Sequence, residues 1–218
     1  MAMDAPLPGT GGAADEARLI AAVLVPQERA RAQRLRSACH ARHWSRVRVR
    51  LRQLLGERCG CDPCRVRFLI GSHGKPSLAH DKPSLAQGHW HFNVSHAGTQ
   101  ALIAISARFA LGVDIERISE RRDAAALGQA VFSEAERRAF AQVPEPERAE
   151  LFTRVWVRKE ALVKATGTGI GFGLARVHVG CAGQPLLRID GRPAPRWRLS
   201  DLAAAPGYRA ALCRGSAA

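Results

Sequence analysis

Residues 151–165 read LFTRVWVRKEALVKA, and their pattern predicts an amphipathic helix. Apolar side chains recur there at intervals of three and four residues, as on one face of a helix: Phe152, Val155, Trp156, Leu162 and Val163. Glu160 and Lys164 are four residues apart and share another helix face, while Lys159 projects from the neighbouring face. Taken alone, Glu160 and Lys164 are equally typical of an ordinary surface ion pair.

Lysine is rare in this chain, because only four of its 33 basic residues are lysines. Three of them, Lys75, Lys159 and Lys164, stand in short segments that also hold candidates for acid and phosphate chemistry. An ammonium group is a compact point charge, whereas the guanidinium of arginine is a planar fork. The selective use of lysine at these positions of an arginine-rich chain indicates phosphate binding.

Upstream of the helix, residues 111–116 read LGVDIE and predict a strand. Side chains alternate along a strand, so Asp114 and Glu116 share one face, with Cα atoms roughly 6 to 7 Å apart. Two such carboxylates repel each other unless a cation bridges them, and hard oxygen ligands suit Mg²⁺. The alternative is a strand whose end emerges into solvent.

Earlier still, residues 92–96 (FNVSH) and 101–105 (ALIAI) predict two strands joined by a turn at Gly98. The hairpin places Ser95 and His96 at a strand end, where side chains commonly meet ligands. Taken alone, such a histidine is more often a hydrogen-bonded structural residue than a ligand-binding one.

Shorter signals surround these elements. Residues 66–70 predict a partly buried strand that ends at the glycines of 71–76. The pentapeptide KPSLA at 75–79 recurs at 82–86, which predicts a lengthened loop rather than a repeat architecture. Ser133 and Glu136 form a capping-box pattern that predicts the start of another helix.

The glycine-rich segment 167–173 follows the predicted helix. Both the Rossmann turn and the P-loop place their glycines before a helix, so this order excludes them.

Composition indicates a globular protein. At 218 residues and 46% hydrophobic content, the chain can bury a substantial core. Residues 1–16 are small, acidic and rich in glycine and proline, without the basic and apolar regions of a secretory signal, and predict a mobile leader. No apolar run approaches the roughly 18 residues that a membrane helix needs. We therefore expect a cytoplasmic protein with reduced cysteines.

The formal charge of +14 is compatible with several anionic partners. Arginines crowd residues 29–52, where the pattern predicts one or two solvated helices; binding of a polyanion is the alternative. Few aromatic residues interleave with them, which argues against a stacking platform for single-stranded nucleic acid.

Three cysteines within six residues, Cys59, Cys61 and Cys64, raise the alternative of a zinc site, with His73 or His80 as the fourth ligand. No second Cys-x-x-Cys pair follows at zinc-ribbon spacing. Pro63 and Gly60 are turn residues, so a plain loop between a helix and a strand explains the segment equally well.

Four motifs in series closely resemble the surfactin-type 4′-phosphopantetheinyl transferases: Gly74 to Pro76, Phe92 to His96, Gly112 to Glu116 and Trp156 to Gly169. The likeness runs from about Val23 to Tyr208, nearly the whole chain. It implies an α+β fold of two pseudo-symmetric α/β halves, 17–108 and 109–218, with coenzyme A in the cleft between them. Such proteins are typically monomers.

The resemblance also implies a reaction. The phosphopantetheine arm of coenzyme A moves to a serine of an acyl or peptidyl carrier protein, and adenosine 3′,5′-bisphosphate leaves. Asp114, Glu116 and Glu160 would hold Mg²⁺ on the diphosphate. Glu160 would also take the serine proton, directly or through water, and Lys164 would neutralise the leaving phosphate. Asp114, Glu160 and Lys164 are thus the implied catalytic residues.

Further positions match family residues near coenzyme A. The implied cofactor-binding residues, in addition to Lys164, are Lys75, Ser95, His96, Lys159, Arg31 and Arg42. Arg31 and Arg42 are candidates for the 3′-phosphate. Spacing from Phe68 makes Lys75, rather than Lys82, the matching lysine.

Positive charge would then serve to attract an acidic apo carrier protein, with Arg117, Arg121 and Arg122 as the first candidates. Neither nucleic acid nor a membrane is an expected partner. Two other classes of protein remain open at this point. A basic nucleic-acid-binding module would explain the charge, and a zinc-stabilised scaffold would explain the cysteines.

Overall fold

A computed structural model describes residues 2, 7–71, 73–79, 90–120 and 123–216. Two compact units divide the chain. The first comprises Met1–Leu69, Leu78–Gly88 and Thr99–Ala101, and the second comprises Ile70–Ser77, His89–Gly98 and Leu102–Ala218. Across the described ranges, no helix combines the length and the apolar character needed to cross a bilayer.

Helices and strands are both present, which confirms the α+β class. The helices are α1 (Ala13–Val23), α2 (Pro26–Gln33), α3 (Ala38–Cys59), α4 (Ala124–Val131), α5 (Glu134–Ala141) and α6 (Glu145–Thr166). The strands are β1 (Phe68–Ile70), β2 (Pro76–Leu78), β3 (His91–Ala97), β4 (Gln100–Ser106), β5 (Leu111–Arg117), β6 (Val177–His178), β7 (Arg188–Ile189), β8 (Arg192–Pro193), β9 (Trp197–Leu202) and β10 (Tyr208–Gly215). The predicted helix, hairpin and carboxylate strand correspond to α6, β3–β4 and β5.

Buried arginines organise the helical first unit. Arg46 in α3 makes two hydrogen bonds to the Glu16 carboxylate of α1, 2.9 and 2.7 Å long. Arg52, also in α3 and 2% exposed, donates to Glu28 Oε2 of α2 at 2.7 Å and to the carbonyl of Val66 at 2.9 Å. The sequence predicts that the arginines of this segment are solvated. That prediction is wrong for Arg46 and Arg52, because acids from α1 and α2 pair with them inside the unit.

Part of the segment predicted as a mobile leader, 1–16, is folded. Residues 13–16 belong to α1, and both Leu7 and Glu16 are buried. The ion pair with Arg46 compensates the cost of burying the Glu16 charge.

A three-stranded antiparallel sheet of order β5-β10-β9 forms the centre of the second unit. Helix α6 packs against β5 and β10, and its apolar residues join a cluster that includes Phe132, Phe152 and Leu162. Gly167 ends the helix in the left-handed conformation, with φ of 73°. The capping box predicted at Ser133 and Glu136 is confirmed at the start of α5.

The compact units differ from the predicted halves, 17–108 and 109–218. Strand β3 and residues 102–108 belong to the second unit. Side chains of β3 hydrogen-bond to β5, and these bonds tie β3 to the C-terminal sheet.

Gly112 allows β5 to lie directly against α6. A Cβ atom at this position would stand 2.7 Å from the carbonyl carbon of Lys164, and closer still to Ala161 O and Ala165 N. Those atoms belong to the helix backbone, so they cannot rotate away as a side chain would.

We predict that Gly112→Ala lowers the free energy of unfolding by about 2 to 3 kcal/mol, the upper range for overpacking a well-packed interior. Urea unfolding would measure the loss. Gly12→Ala is the comparison variant, because a Cβ at Gly12 meets nothing within 4 Å and only the preference for glycine at the N-cap of α1 is lost. Equal stability of the two variants would contradict the prediction.

Candidate functional site

A cavity of about 750 Å³ lies in the second unit, beside β3 and the C-terminal half of α6. Its lining includes Lys75, Asn93, Glu160 and Lys164, together with the glycines that follow α6. The lysines, the acid and the glycine-rich segment that the sequence singles out thus reach one space.

Only one of the two carboxylate oxygens of Asp114, on β5, accepts hydrogen bonds among the described residues. Asp114 is 3% exposed, and its Oδ1 atom accepts hydrogen bonds from Lys164 Nζ at 2.6 Å and from Ser95 Oγ at 2.7 Å. Burial raises the pKa of Asp114, an effect that Lys164 and Ser95 oppose and Glu116 reinforces.

Glu160 of α6 is the second acid. It is 8% exposed. Burial raises the pKa of Glu160, and the charges of Asp114 and Glu116 add to this while Lys164 opposes it. Asp114 and Glu160 are therefore close enough to repel each other.

Each of these two acids has one carboxylate oxygen that is buried without a hydrogen-bond partner among the described residues, Asp114 Oδ2 and Glu160 Oε1. We refer to these two atoms as the open oxygens. A buried carboxylate oxygen left without a donor is costly unless a cation completes it. Hard oxygens of this kind suit a divalent cation such as Mg²⁺.

Glu116 is the third predicted metal ligand. Within the part of the chain that the structure describes, no three or more His, Cys, Asp or Glu side chains are already gathered into a metal-binding group. Glu116 stands two residues beyond Asp114 on β5 and is coupled electrostatically to both other acids. The open oxygens thus fit a divalent cation, and Glu116 as a third ligand stays a prediction.

Lys75 points at the end of a helix. Its Nζ atom donates to the carbonyls of Leu111 and Ala165, each at 3.2 Å, and to that of Lys164. Burial lowers the pKa of Lys75, and Cys213 opposes this. An ammonium here satisfies the last carbonyls of α6 and the first of β5, next to the cavity.

The structure places Lys159 elsewhere than the resemblance implies. The resemblance implies a position near coenzyme A, but the side chain has 0% exposure and lies inside the second unit. Its Nζ atom pairs with Glu136 Oε2 at 2.6 Å and donates to the carbonyls of Val131 and Leu174. The Lys159 ammonium is therefore enclosed by protein groups and does not line the cavity.

The remaining predicted residues are His96, Arg31 and Arg42. His96 is exposed and, one residue after Ser95 on β3, points to the other face of the strand. Arg31 and Arg42 belong to the first unit, where Arg31 stacks over Trp44 and Arg42 lies 3.9 Å from Glu16 Oε1. Their roles toward coenzyme A stay predictions.

Asn93 is a site residue that the sequence reasoning missed. It is 6% exposed, lines the cavity, and its Oδ1 atom accepts the backbone N–H of Val113 at 2.9 Å. The signal was its spacing of two residues from Ser95, which places both side chains on one face of β3.

The three clustered cysteines are free thiols at the end of α3: Cys59 is its last residue, Gly60 is its left-handed C-cap, and Pro63–Arg65 form a 3-10 turn. No metal-binding group of three or more side chains occurs among the residues that the structure describes, and these include Cys59, Cys61, Cys64 and His73. His80 lies outside the described residues, as do residues 82–86.

Comparison with known proteins agrees with this geometry. A model of the 4′-phosphopantetheinyl transferase superfamily matches residues 110–213, and a model of the N-terminal part of 4′-phosphopantetheinyl transferases matches residues 13–108. The chain is 32% identical to the 4′-phosphopantetheinyl transferase HetI of Nostoc sp. strain PCC 7120, over 84% of this chain and 75% of that protein. It is 25% identical to the transferase Sfp of Bacillus subtilis, over 76% and 70%.

A holo-(acyl-carrier-protein) synthase from Bacillus anthracis, described as a complex with coenzyme A, is 21% identical with a TM-score of 0.44. The match covers 51% of this chain and 100% of that one.

Proposed function

The chain belongs to the 4′-phosphopantetheinyl transferase superfamily, and we propose that it transfers 4′-phosphopantetheine from coenzyme A to a serine of a carrier protein. The acceptor is an acyl or peptidyl carrier protein, and adenosine 3′,5′-bisphosphate is released. The supporting observation is the pair of open oxygens of Asp114 and Glu160, buried next to the ammonium of Lys164.

We propose Mg²⁺ as the metal, held by Asp114 and Glu160 with Glu116 as third ligand. When bound, it would neutralise charge on the diphosphate that is broken in the reaction. The two open oxygens support this set, because they supply hard, anionic donors from a strand and a helix.

The chain's own residues would supply the remaining catalysis. Phosphoryl transfer depends mainly on alignment and on stabilisation of negative charge. Lys164, whose side chain is 28% exposed, lines the cavity and contacts Asp114, and it would stabilise the leaving phosphate. Glu160 would accept the proton of the carrier serine, directly or through water.

Coenzyme A would occupy the cavity beside β3 and α6. Lys75 holds the end of α6 at this cavity, and His96, Arg31 and Arg42 remain proposed contacts for the nucleotide and its 3′-phosphate.

The proposed partner is an acidic carrier protein. With a formal charge of +14, the chain would speed encounter with such a partner in a salt-dependent way. Arg117 at the end of β5 is exposed and available for this contact, whereas Arg121 and Arg122 lie outside the described residues. We further propose that the protein acts as a cytoplasmic monomer.

The reaction is tested by intact-mass measurement on a panel of apo carrier proteins. With Mg²⁺ and coenzyme A, we expect at least one carrier to gain one phosphopantetheine group. A carrier whose acceptor serine is replaced by alanine is the control and should keep its mass, and chelation of the metal should abolish the shift. Unchanged masses across acyl and peptidyl carriers would refute the proposal.

A further inference from the structure

Strand β3 meets β5 through side chains. The two strands belong to different sheets, since β3 pairs with β4 and β5 pairs with β10. The backbone N–H groups of Val113 and Ile115 on β5 donate instead to Asn93 Oδ1 at 2.9 Å and to Ser95 Oγ at 3.4 Å. Both acceptors are buried. Asn93 and Ser95 thus take the place of a backbone ladder along this edge of β5.

The hydroxyl of Ser95 has no remaining capacity for a phosphate. A serine hydroxyl offers one hydrogen and two lone pairs. Its hydrogen is donated to Asp114 Oδ1 at 2.7 Å. Its lone pairs accept from Lys164 Nζ at 3.1 Å and from the backbone N–H of Ile115. A phosphate oxygen needs a donor, and this donor is already used.

Ser95 and Lys164 both contact the same oxygen of Asp114, Oδ1. The other oxygen, Oδ2, is one of the open oxygens. Two donors on one oxygen fix the rotation of a carboxylate, and the orientation of the second oxygen follows. Asn93 contributes to the same result by holding the backbone of β5 one residue before Asp114.

We propose that Asn93 and Ser95 are positioning residues that orient the Asp114 carboxylate toward a divalent cation, and that Ser95 makes no contact with coenzyme A. This inference rests on the proposed function, and it replaces the nucleotide contact that the resemblance implies for Ser95. A positioning residue acts on metal affinity, whereas a phosphate contact acts on coenzyme A affinity.

The test measures binding rather than turnover. Mn²⁺ serves as the probe, and its free concentration is followed by electron paramagnetic resonance, with and without coenzyme A. Loss of a residue that orients a metal ligand typically weakens metal binding about 10- to 100-fold. Ser95→Ala is therefore expected to weaken Mn²⁺ binding at least about tenfold. Coenzyme A affinity, measured by calorimetry in the presence of chelator, should change by less than about twofold, because the proposal removes no contact with that ligand.

Two variants and one control keep the result interpretable. Ser95→Thr retains the hydroxyl and should restore Mn²⁺ binding. Asn93→Ala should weaken it by the same route, without touching Ser95. Ser106→Ala is the matched control, because its hydroxyl accepts backbone N–H groups of Arg108 and Phe109 at the end of β4. It should leave Mn²⁺ binding unchanged.

The outcomes separate the two proposals. Unchanged Mn²⁺ affinity in Ser95→Ala and Asn93→Ala, or a tenfold loss of coenzyme A affinity with chelator present, would overturn the positioning role. The positioning role is also overturned if the unaltered protein binds no Mn²⁺ with or without coenzyme A. Failure of the unaltered protein to modify any carrier would instead refute the proposed function.

Discussion

Glu160→Gln is expected to slow carrier modification by about 100- to 1,000-fold, the usual cost of losing one group that stabilises charge in the transition state. Glutamine keeps the shape of the side chain but removes its charge. Without its charge, the side chain at position 160 is a weaker ligand for a cation, and it can no longer act as a base toward the carrier serine. Intact-mass time courses on one responsive carrier would measure the loss.

The same variant should remain folded. Because burial, Asp114 and Glu116 raise the pKa of Glu160, the folded state binds more protons than the unfolded state above the ordinary glutamate pKa of about 4.3. The stability that this proton uptake supplies is present at low pH and is lost as pH rises through the raised folded pKa. Glutamine carries no charge and avoids this loss.

Metal-free Glu160→Gln should thus be at least as stable as the unaltered protein at neutral pH, with a smaller decline between acidic and neutral pH. Urea unfolding at both pH values would show this. Glu147→Gln, an exposed position of the same helix, is the control and should alter neither activity nor stability appreciably. An active Glu160→Gln enzyme would remove Glu160 from the mechanism.

Local patterns were sufficient to predict the main elements of the second unit. Helix α6 has its apolar residues at intervals of three and four, and the capping box of Ser133 and Glu136 is a purely local signal. The turn at Gly98 likewise follows from a short segment, and its φ of 52° suits glycine.

Long-range pairing is what local patterns could not provide. Arg46 and Arg52 look like surface charges until Glu16 and Glu28, which lie 30 and 24 residues earlier, are placed beside them. Asn93 becomes recognisable only once β3 is known to lie along β5. Buried ion pairs and side-chain bridges between strands carry no periodic signal, so the sequence does not reveal them.

Lys159 shows the same limit inside the most informative segment. It stands beside Glu160 and shares a motif with Lys164, yet Lys164 reaches the cavity and Lys159 reaches the interior. The difference is made by Glu136, which is fully buried and 23 positions away in sequence. Consecutive residues of a helix project about 100° apart, so neighbouring residues of one motif can lie in different surroundings.

We expect Lys159→Met to lower the free energy of unfolding by about 3 to 5 kcal/mol, the usual cost of removing one partner from a buried ion pair. Methionine matches the unbranched, apolar part of the lysine side chain but lacks the terminal ammonium, so the Glu136 carboxylate loses its cation. Glu136 would still accept the backbone N–H groups of Ser133 and Val179, at 2.8 and 2.7 Å, so the helix cap should persist. Urea unfolding of metal-free protein would measure the difference.

A double-mutant cycle isolates the pair. Glu136→Gln alone should also be strongly destabilising, whereas Glu136→Gln combined with Lys159→Met should cost less than the sum of the two, because neither uncompensated charge remains. The exposed pair of Glu134 and Arg138 on the same helix α5 is the matched control, and its removal should have little effect.

Coenzyme A binding then decides between the two roles of Lys159. Below the unfolding transition, Lys159→Met should bind coenzyme A as the unaltered protein does, because its ammonium is enclosed by Glu136 and two carbonyls. Loss of coenzyme A affinity with unchanged stability would restore the nucleotide contact that the motif implies, and would show that the lysine leaves its buried partner when the ligand binds.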